Sequence, residues 1–402
     1  MNIPVTKPYT DHRETEEIAK VVASGWFAQG PVVEEFEKAV AAHEGANFGV
    51  ATTSCTTALH LALHAMGLGP GFDVLVPSFT FVASANSIVH TGAKPRFVDI
   101  RQDTFNIDVV AARKYIEENY DYSDGLLKNK SGTGVLKAIM VVHQFGLCAD
   151  MAAFLALAKE FNLQIIEDSA CALGAKIGDK HQGQFGNLAC LSFHPRKSIT
   201  TGEGGMILTD DEELAMSLRG LRSHGAAISA HTRHNMGSFA LPPFDRIGYN
   251  YRMTDLQAAM GLAQMEKVDF IMETRRKLAK RYDKLISDID WLTAPIEPEG
   301  YTHSYQSYVC MLKFDDLSSF EGGEKRDKIL TLLSEKGIAT RQGAHASHAL
   351  ECYRLKYGLH QEALPVSYAC DRLSLTLPLY VQMTDTEQDY VVEMLQEAFK
   401  GV

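Results

Sequence analysis

The sequence predicts an α/β fold: a mostly parallel sheet with helices on both faces, followed by a smaller C-terminal α+β domain. Two observations predict it. Through the first two thirds of the chain, short apolar strand-like runs alternate with segments of helical periodicity, the pattern of a sheet covered on both sides. The 402 residues, 46% of them hydrophobic, also suffice for one large α/β domain with a smaller companion.

The strand candidates are, in order, Phe48–Thr52, Asp73–Pro77, Pro95–Asp99, Ala138–Val142, Gln164–Glu167 and Ala189–Phe193. Helices such as Thr57–Met66 and Met151–Phe161 lie between them. Tyr120–Gly134 is polar and carries glycines, which predicts an exposed loop. Ala226–Phe244 reads as a second loop, long enough for a lid or a partner-facing element. Thr254-Asp255-Leu256-Gln257 is a capping box and opens a long helix expected to run through Met265 to Ile286. Beyond it, a strand at Tyr308–Leu312 and helices around Lys325–Glu335 and Asp385–Phe399 make the small domain. The expected division is a large domain over residues 1–270 and a small one over 271–402.

A formal net charge of -11 and a sequence pI near 5.8 argue against a nucleic-acid partner, which needs a basic stripe to meet phosphates. Neither a signal-peptide pattern nor a run of about 18 apolar residues occurs, so no membrane partner and a cytoplasmic location are expected. The seven cysteines are odd in number and scattered, with no CxxC pair. That favours reduced thiols over disulfides, and no metal site is expected.

Lys197 stands between an apolar strand and the glycine-rich turn Thr201-Gly202-Glu203-Gly204-Gly205. A buried amine with a cationic neighbour such as Arg196 is a nucleophile toward carbonyls, although by itself the residue also fits a solvated surface lysine. Asp168 closes the strand Gln164–Glu167, where a carboxylate either faces the protonated nitrogen of a pyridine ring or caps a turn. Two unit charges about 4 Å apart at an effective dielectric near 20 gain roughly 4 kcal/mol, enough to keep such a ring protonated near neutral pH. Ser54-Cys55-Thr56-Thr57 follows a strand and opens a helix, so its hydroxyls and amides form either a phosphate cradle or a plain N-cap. Ser192 adds a hydroxyl, and Phe79 or Phe81 an aromatic face. His143 and His194, at strand ends, read as packing or hydrogen-bonding residues. The spacing of His345, His348 and Cys352 is compatible with a metal but is not assigned one.

Together these residues are what a pyridoxal 5′-phosphate (PLP) site needs, and the sequence resembles the DegT/StrS-type family of sugar aminotransferases, within the fold type I group of PLP-dependent transferases. The resemblance runs from Ser24-Gly25-Trp26 through Pro77-Ser78-Phe79-Thr80-Phe81, Glu167-Asp168, Ser192–Gly205 and Gly248–Asp255 to Leu377-Pro378-Leu379-Tyr380. It implies that Lys197 bonds to the cofactor and then moves the proton, that Asp168 holds the ring nitrogen and that Phe81 stacks on the ring. Thr56 and Ser192, with the Ser54–Cys55 turn, would bind the phosphate. Asn250 would reach the phosphate held by a second subunit, so a homodimer with shared active sites is implied. The implied reaction moves an amino group, with glutamate as donor, to a nucleotide-linked keto-sugar for amino-sugar and surface polysaccharide biosynthesis. The rivals are sugar dehydration or amino-cyclitol transamination on the same fold, and a PLP-binding regulatory protein without turnover.

The chain departs from the family's pattern at two site positions. Cys171 stands where a glutamine often contacts the ring hydroxyl, and Cys55 replaces the usual glycine of the Ser-Gly-Thr turn, which requires a backbone there that a side chain tolerates. A dehydratase branch carries histidine in place of the lysine, and Lys197 argues against that branch.

Overall fold

A computed structural model describes residues 1–226, 243–313 and 320–402. At its centre is a sheet whose main path runs, in spatial order, Phe48–Thr52, Gly205–Thr209, Leu188–Ser192, Gln164–Asp168, Val135–Val142, Phe72–Pro77 and Lys94–Val98. Neighbours are parallel except at Gly205–Thr209, which is antiparallel to both of its partners.

The alternation of side chains along these strands builds two cores. Val74, Val76 and Met140 face one side and pack with Leu59, Leu61 and Leu63 of helix Cys55–Ala65. Leu75, Ile139 and Val141 face the other side and pack with Phe154 and Leu157 of helix Met151–Phe161. All are essentially inaccessible to water, and each such side chain contributes about 1.5–3 kcal/mol by leaving it.

The C-terminal unit is a small antiparallel sheet of Leu292–Thr293, Tyr308–Leu312 and Ser374–Leu377. Its core joins Tyr282, Tyr308, Leu333, Val391 and Leu395. Ile3 is fully buried in that same core and bridges Ile338, so the first residues of the chain pack with the last hundred. Helix Val268–Leu285 serves both bodies, with Ile271 in a core of the large sheet and Leu278 in the C-terminal one.

Three expectations need correction. Tyr120–Gly134 is not a loop: Tyr120–Ser123 pairs antiparallel with Leu126–Asn129, and the second strand extends the main sheet beside Val135–Val142. The turn is Asp124-Gly125, with φ of 56° and 73°, the left-handed pair that a two-residue hairpin needs. The helix after Thr254 is capped as expected but stops at Met265 and restarts at Val268, giving two helices. Finally, Gly205–Thr209 is a strand where only a glycine-rich turn was anticipated. The expected loop Ala226–Phe244 lies almost wholly outside the described residues.

Candidate active site

The carboxyl ends of the parallel strands lie along one edge of the sheet, where α/β folds of this kind bind ligands. Gly205 begins its antiparallel strand at that same edge, opposite Thr52 on one side and Ser192 on the other. A β-carbon at Gly205 would sit 2.4 Å from the Ser54 carbonyl, so only glycine lets this strand approach the turn before helix Cys55–Ala65.

Over this edge lies a cavity of about 610 Å3. Ser54, Cys55, Thr56, Phe81, Asp168, Cys171, Ser192 and Lys197 all line it, so the fold gathers residues spread over more than 140 positions of sequence. Phe81 is 68% exposed into open space, whereas Phe79 is buried against Phe105 and Phe145. The structure therefore separates two phenylalanines that the sequence left equivalent. Asn250 is exposed and does not line this cavity; its backbone bridges Ser223, and its neighbours Tyr249 and Tyr251 stack with ring centroids 4.9 Å apart.

Asp168 is 4% exposed. Its Oδ2 accepts from the Ser84 hydroxyl at 2.7 Å and its Oδ1 from the Ala170 amide at 3.2 Å. Burial pushes its pKa upward against the hydroxyl, the amide and the Lys197 charge, so the carboxylate lacks a full cationic partner. Ser84 had no sequence signal beyond its place in the helix after Phe81.

At the strand end before it, Glu167 is fully buried and points elsewhere. It accepts from His143 Nε2 at 2.7 Å and from the amides of Gly183, Phe185 and Gly186. His143 accepts the Ala149 amide on its other nitrogen, so both of its ring nitrogens are used in packing. His194 lines the cavity, with burial lowering its pKa, and its Nδ1 accepts from the Arg196 amide. His348 is committed on both nitrogens, to Ser78 and to the Gln361 carbonyl, and does not join His345 and Cys352 in a metal site.

The helix start at Ser54 combines a cap with open donors. Ser54 Oγ accepts from the Thr57 amide and Thr57 Oγ1 from the Ser54 amide, a reciprocal capping box. Among the described residues, no acceptor meets the amides of Cys55 and Thr56 or the hydroxyl of Thr56. Those donors face the cavity at the positive end of a helix dipole, an arrangement that fits a phosphate. Cys55 takes ordinary helical backbone, and its thiol packs inward toward the Cys190 carbonyl at 3.6 Å, so the absence of glycine there costs nothing. The seven thiols are all free.

A sheet edge that offers a lysine, a buried carboxylate short of a cation and a helix start short of an anion defines a PLP-dependent enzyme of the aminotransferase fold. Comparison with known proteins agrees. The family model described as the DegT/DnrJ/EryC1/StrS aminotransferase family matches residues 8–396, and the chain belongs to that family, whose cofactor is PLP. It is 35% identical over 399 residues to the spore coat polysaccharide biosynthesis protein SpsC of Bacillus subtilis, covering 99% of this chain and 97% of that one. It is 36% identical over 397 residues to the GDP-perosamine synthase of Caulobacter vibrioides, covering 98% of each. Among solved structures, the PLP form of the putative sugar aminotransferase Spr1654 from Streptococcus pneumoniae superposes with a TM-score of 0.87 at 27% identity, covering 100% of this chain and 99% of that one. No helix among the described residues is long and apolar enough to cross a membrane.

Proposed function

We propose that this sugar-aminotransferase homologue moves an amino group from glutamate to a nucleotide-linked keto-sugar, with Lys197 as the catalytic residue. The observation that carries the reading is the meeting of Lys197, Asp168 and the open helix start at Ser54 in one cavity. The kinship with a GDP-perosamine synthase and with a spore coat polysaccharide protein supports the nucleotide-sugar class and a role in amino-sugar and polysaccharide synthesis.

PLP supplies an aldehyde that exchanges amines and a cationic ring that withdraws electrons from the carbon bearing the amine. The chain does the rest. Asp168 would hold the proton on the ring nitrogen of the bound cofactor, whose positive charge would offset the cost of burying the carboxylate. The Ser54–Thr56 helix start and Ser192 would hold the phosphate, and Phe81 would cover a ring face. Cys171, which lines the cavity, would stand where the family resemblance implies a glutamine at the ring hydroxyl. Lys197 would anchor the cofactor and, with the donor bound, would carry the proton at the substrate carbon. The same residues would serve the second half-reaction, on the sugar ketone.

The reading includes a homodimer in which Asn250, exposed on this chain, reaches the phosphate held by the other subunit. Incubation with glutamate and a nucleotide-linked keto-sugar should yield the amino sugar and 2-oxoglutarate in equal amounts, with ping-pong kinetics. Release of a dehydrated sugar instead would favour the dehydratase rival.

A further inference from the structure

Away from the cavity, the last turn of helix Pro31–Glu44 meets the short strand Lys180–His181. His43, Glu44 and His181 each offer one donor atom there, all within 4.8 Å of one another. Glu44 is fully buried, while the two imidazoles are only slightly exposed and stand edge-on with centroids 5.6 Å apart. His43 Nδ1 is 2.7 Å from Glu44 Oε1, and His181 Nδ1 is 3.5 Å from Glu44 Oε2.

We propose that His43, Glu44 and His181 bind a divalent transition-metal ion of the zinc class. Two imidazole nitrogens and a carboxylate oxygen form a borderline donor set, suited to zinc, cobalt or nickel and poorly suited to calcium or magnesium, which take oxygens. Bonds of about 2.0–2.2 Å in a tetrahedron put donors roughly 3.4 Å apart, so no pair needs to close by more than about 1.4 Å when the ion enters.

Unpartnered polar atoms in and beside the cluster point to a ligand. His181 Nδ1 is buried yet has no hydrogen-bond partner, and neither has Oε1 of the fully buried Gln182 beside it. An orphaned imidazole nitrogen facing a carboxylate is satisfied by a cation between them. The surroundings are those of a metal's outer shell. Asp269 lies 3.5 Å from His43 Nε2, on the far side of the ring from Glu44, as in carboxylate–histidine–metal relays. The Gly174 amide and Gln182 Nε2 hold the Glu44 carboxylate in place. Three protein ligands leave a fourth position for water.

The bound ion ties the end of one helix to the Lys180–His181 strand. Through Glu44 it also braces Gly174, on the loop that descends from Asp168 and Cys171. Its role is therefore structural, and its occupancy should raise the melting temperature of the protein.

The test uses the cofactor-loaded full chain, stripped with a chelator and dialysed against zinc chloride, with bound zinc counted by mass spectrometry. Cobalt chloride provides a second readout through its visible tetrahedral bands. One zinc per chain is expected in the wild type and in His64→Gln, a surface control. His181→Gln should lose that zinc, and Asp269→Asn should weaken binding by about 10- to 100-fold. Asp269 is exposed, so its substitution leaves the fold intact even if His181→Gln does not. Less than one zinc per chain at saturation, or wild-type affinity in either His181→Gln or Asp269→Asn, would overturn the proposal.

Discussion

Lys197 Nζ lies 3.1 Å from Cys171 Sγ, the only hydrogen-bond partner of the amine among the described residues. The lysine is therefore tethered to nothing that supports the fold, and its side chain is free to serve the cavity. The contact also places Cys171 beside the amine that we propose reacts, at the position where the family resemblance implies a glutamine.

Lys197→Ala should abolish transamination, with a loss of at least about 10²–10⁴-fold, the usual contribution of a positioned proton carrier. Stability should change by only about 0.5 kcal/mol, because a half-buried side chain with one thiol contact is removed. Exchange between glutamate and 2-oxoglutarate, followed alongside thermal melting, separates the two effects. Retained exchange in a folded variant would count against Lys197 as the proton carrier.

Asp168→Asn should cost activity and cofactor affinity while sparing the cofactor-free fold. In the cofactor-free protein the carboxyl's pKa is raised by burial, so its contribution to stability is fully present below about pH 3.9, the unfolded value, and is lost as pH rises through the higher folded value. Removing the charge removes that loss. Melting curves of the cofactor-free proteins should show Asn gaining on Asp between acid and neutral pH; parallel curves would place Asp168 in a solvated setting that the structure does not have.

Glu14 predicts the opposite slope. Burial pushes its pKa up, but hydrogen bonds from Lys267 Nζ at 2.6 Å, from the Asp11 amide and from Gln264 prevail, and the net shift is downward. Its stabilisation is therefore complete above the unfolded value of about 4.3 and is lost as pH falls through the lower folded value. Glu14→Gln should cost about 1–3 kcal/mol at neutral pH and flatten the acid limb of the stability curve. Urea melts between neutral and acid pH measure both, and an unchanged acid limb would show that other carboxylates govern it.

Dimers assembled from an Asn250-substituted and a Lys197-substituted subunit should recover part of the activity that each parent lacks. Such recovery arises only when one subunit completes the other's site. Verified heterodimers without activity would confine Asn250 to its own chain.

Much of this was legible in the sequence because the chemistry sits at strand ends. The six expected strands all belong to the central sheet, and the Ser54 and Thr254 caps are where their hydroxyls announced them. What escaped notice was local and short. The Asp124-Gly125 dipeptide is a hairpin signal, but the polar residues around it look like a loop because this strand pair hangs at the sheet's edge. Met206-Ile207-Leu208 is a strand too brief to separate from the glycines before it. The Ser84 contact to Asp168 and the meeting of His43 with His181 depend on tertiary approach across 84 and 138 positions, which no periodicity records.

The most direct measurement is the absorbance spectrum of the purified PLP-loaded protein before and after glutamate is added. A visible band from cofactor bound to Lys197, giving way to near-ultraviolet absorbance as 2-oxoglutarate appears, is the predicted result. A protein that shows no such band even with added PLP, or whose band is indifferent to glutamate, would contradict the account of Lys197 and Asp168 as the working parts of an aminotransferase.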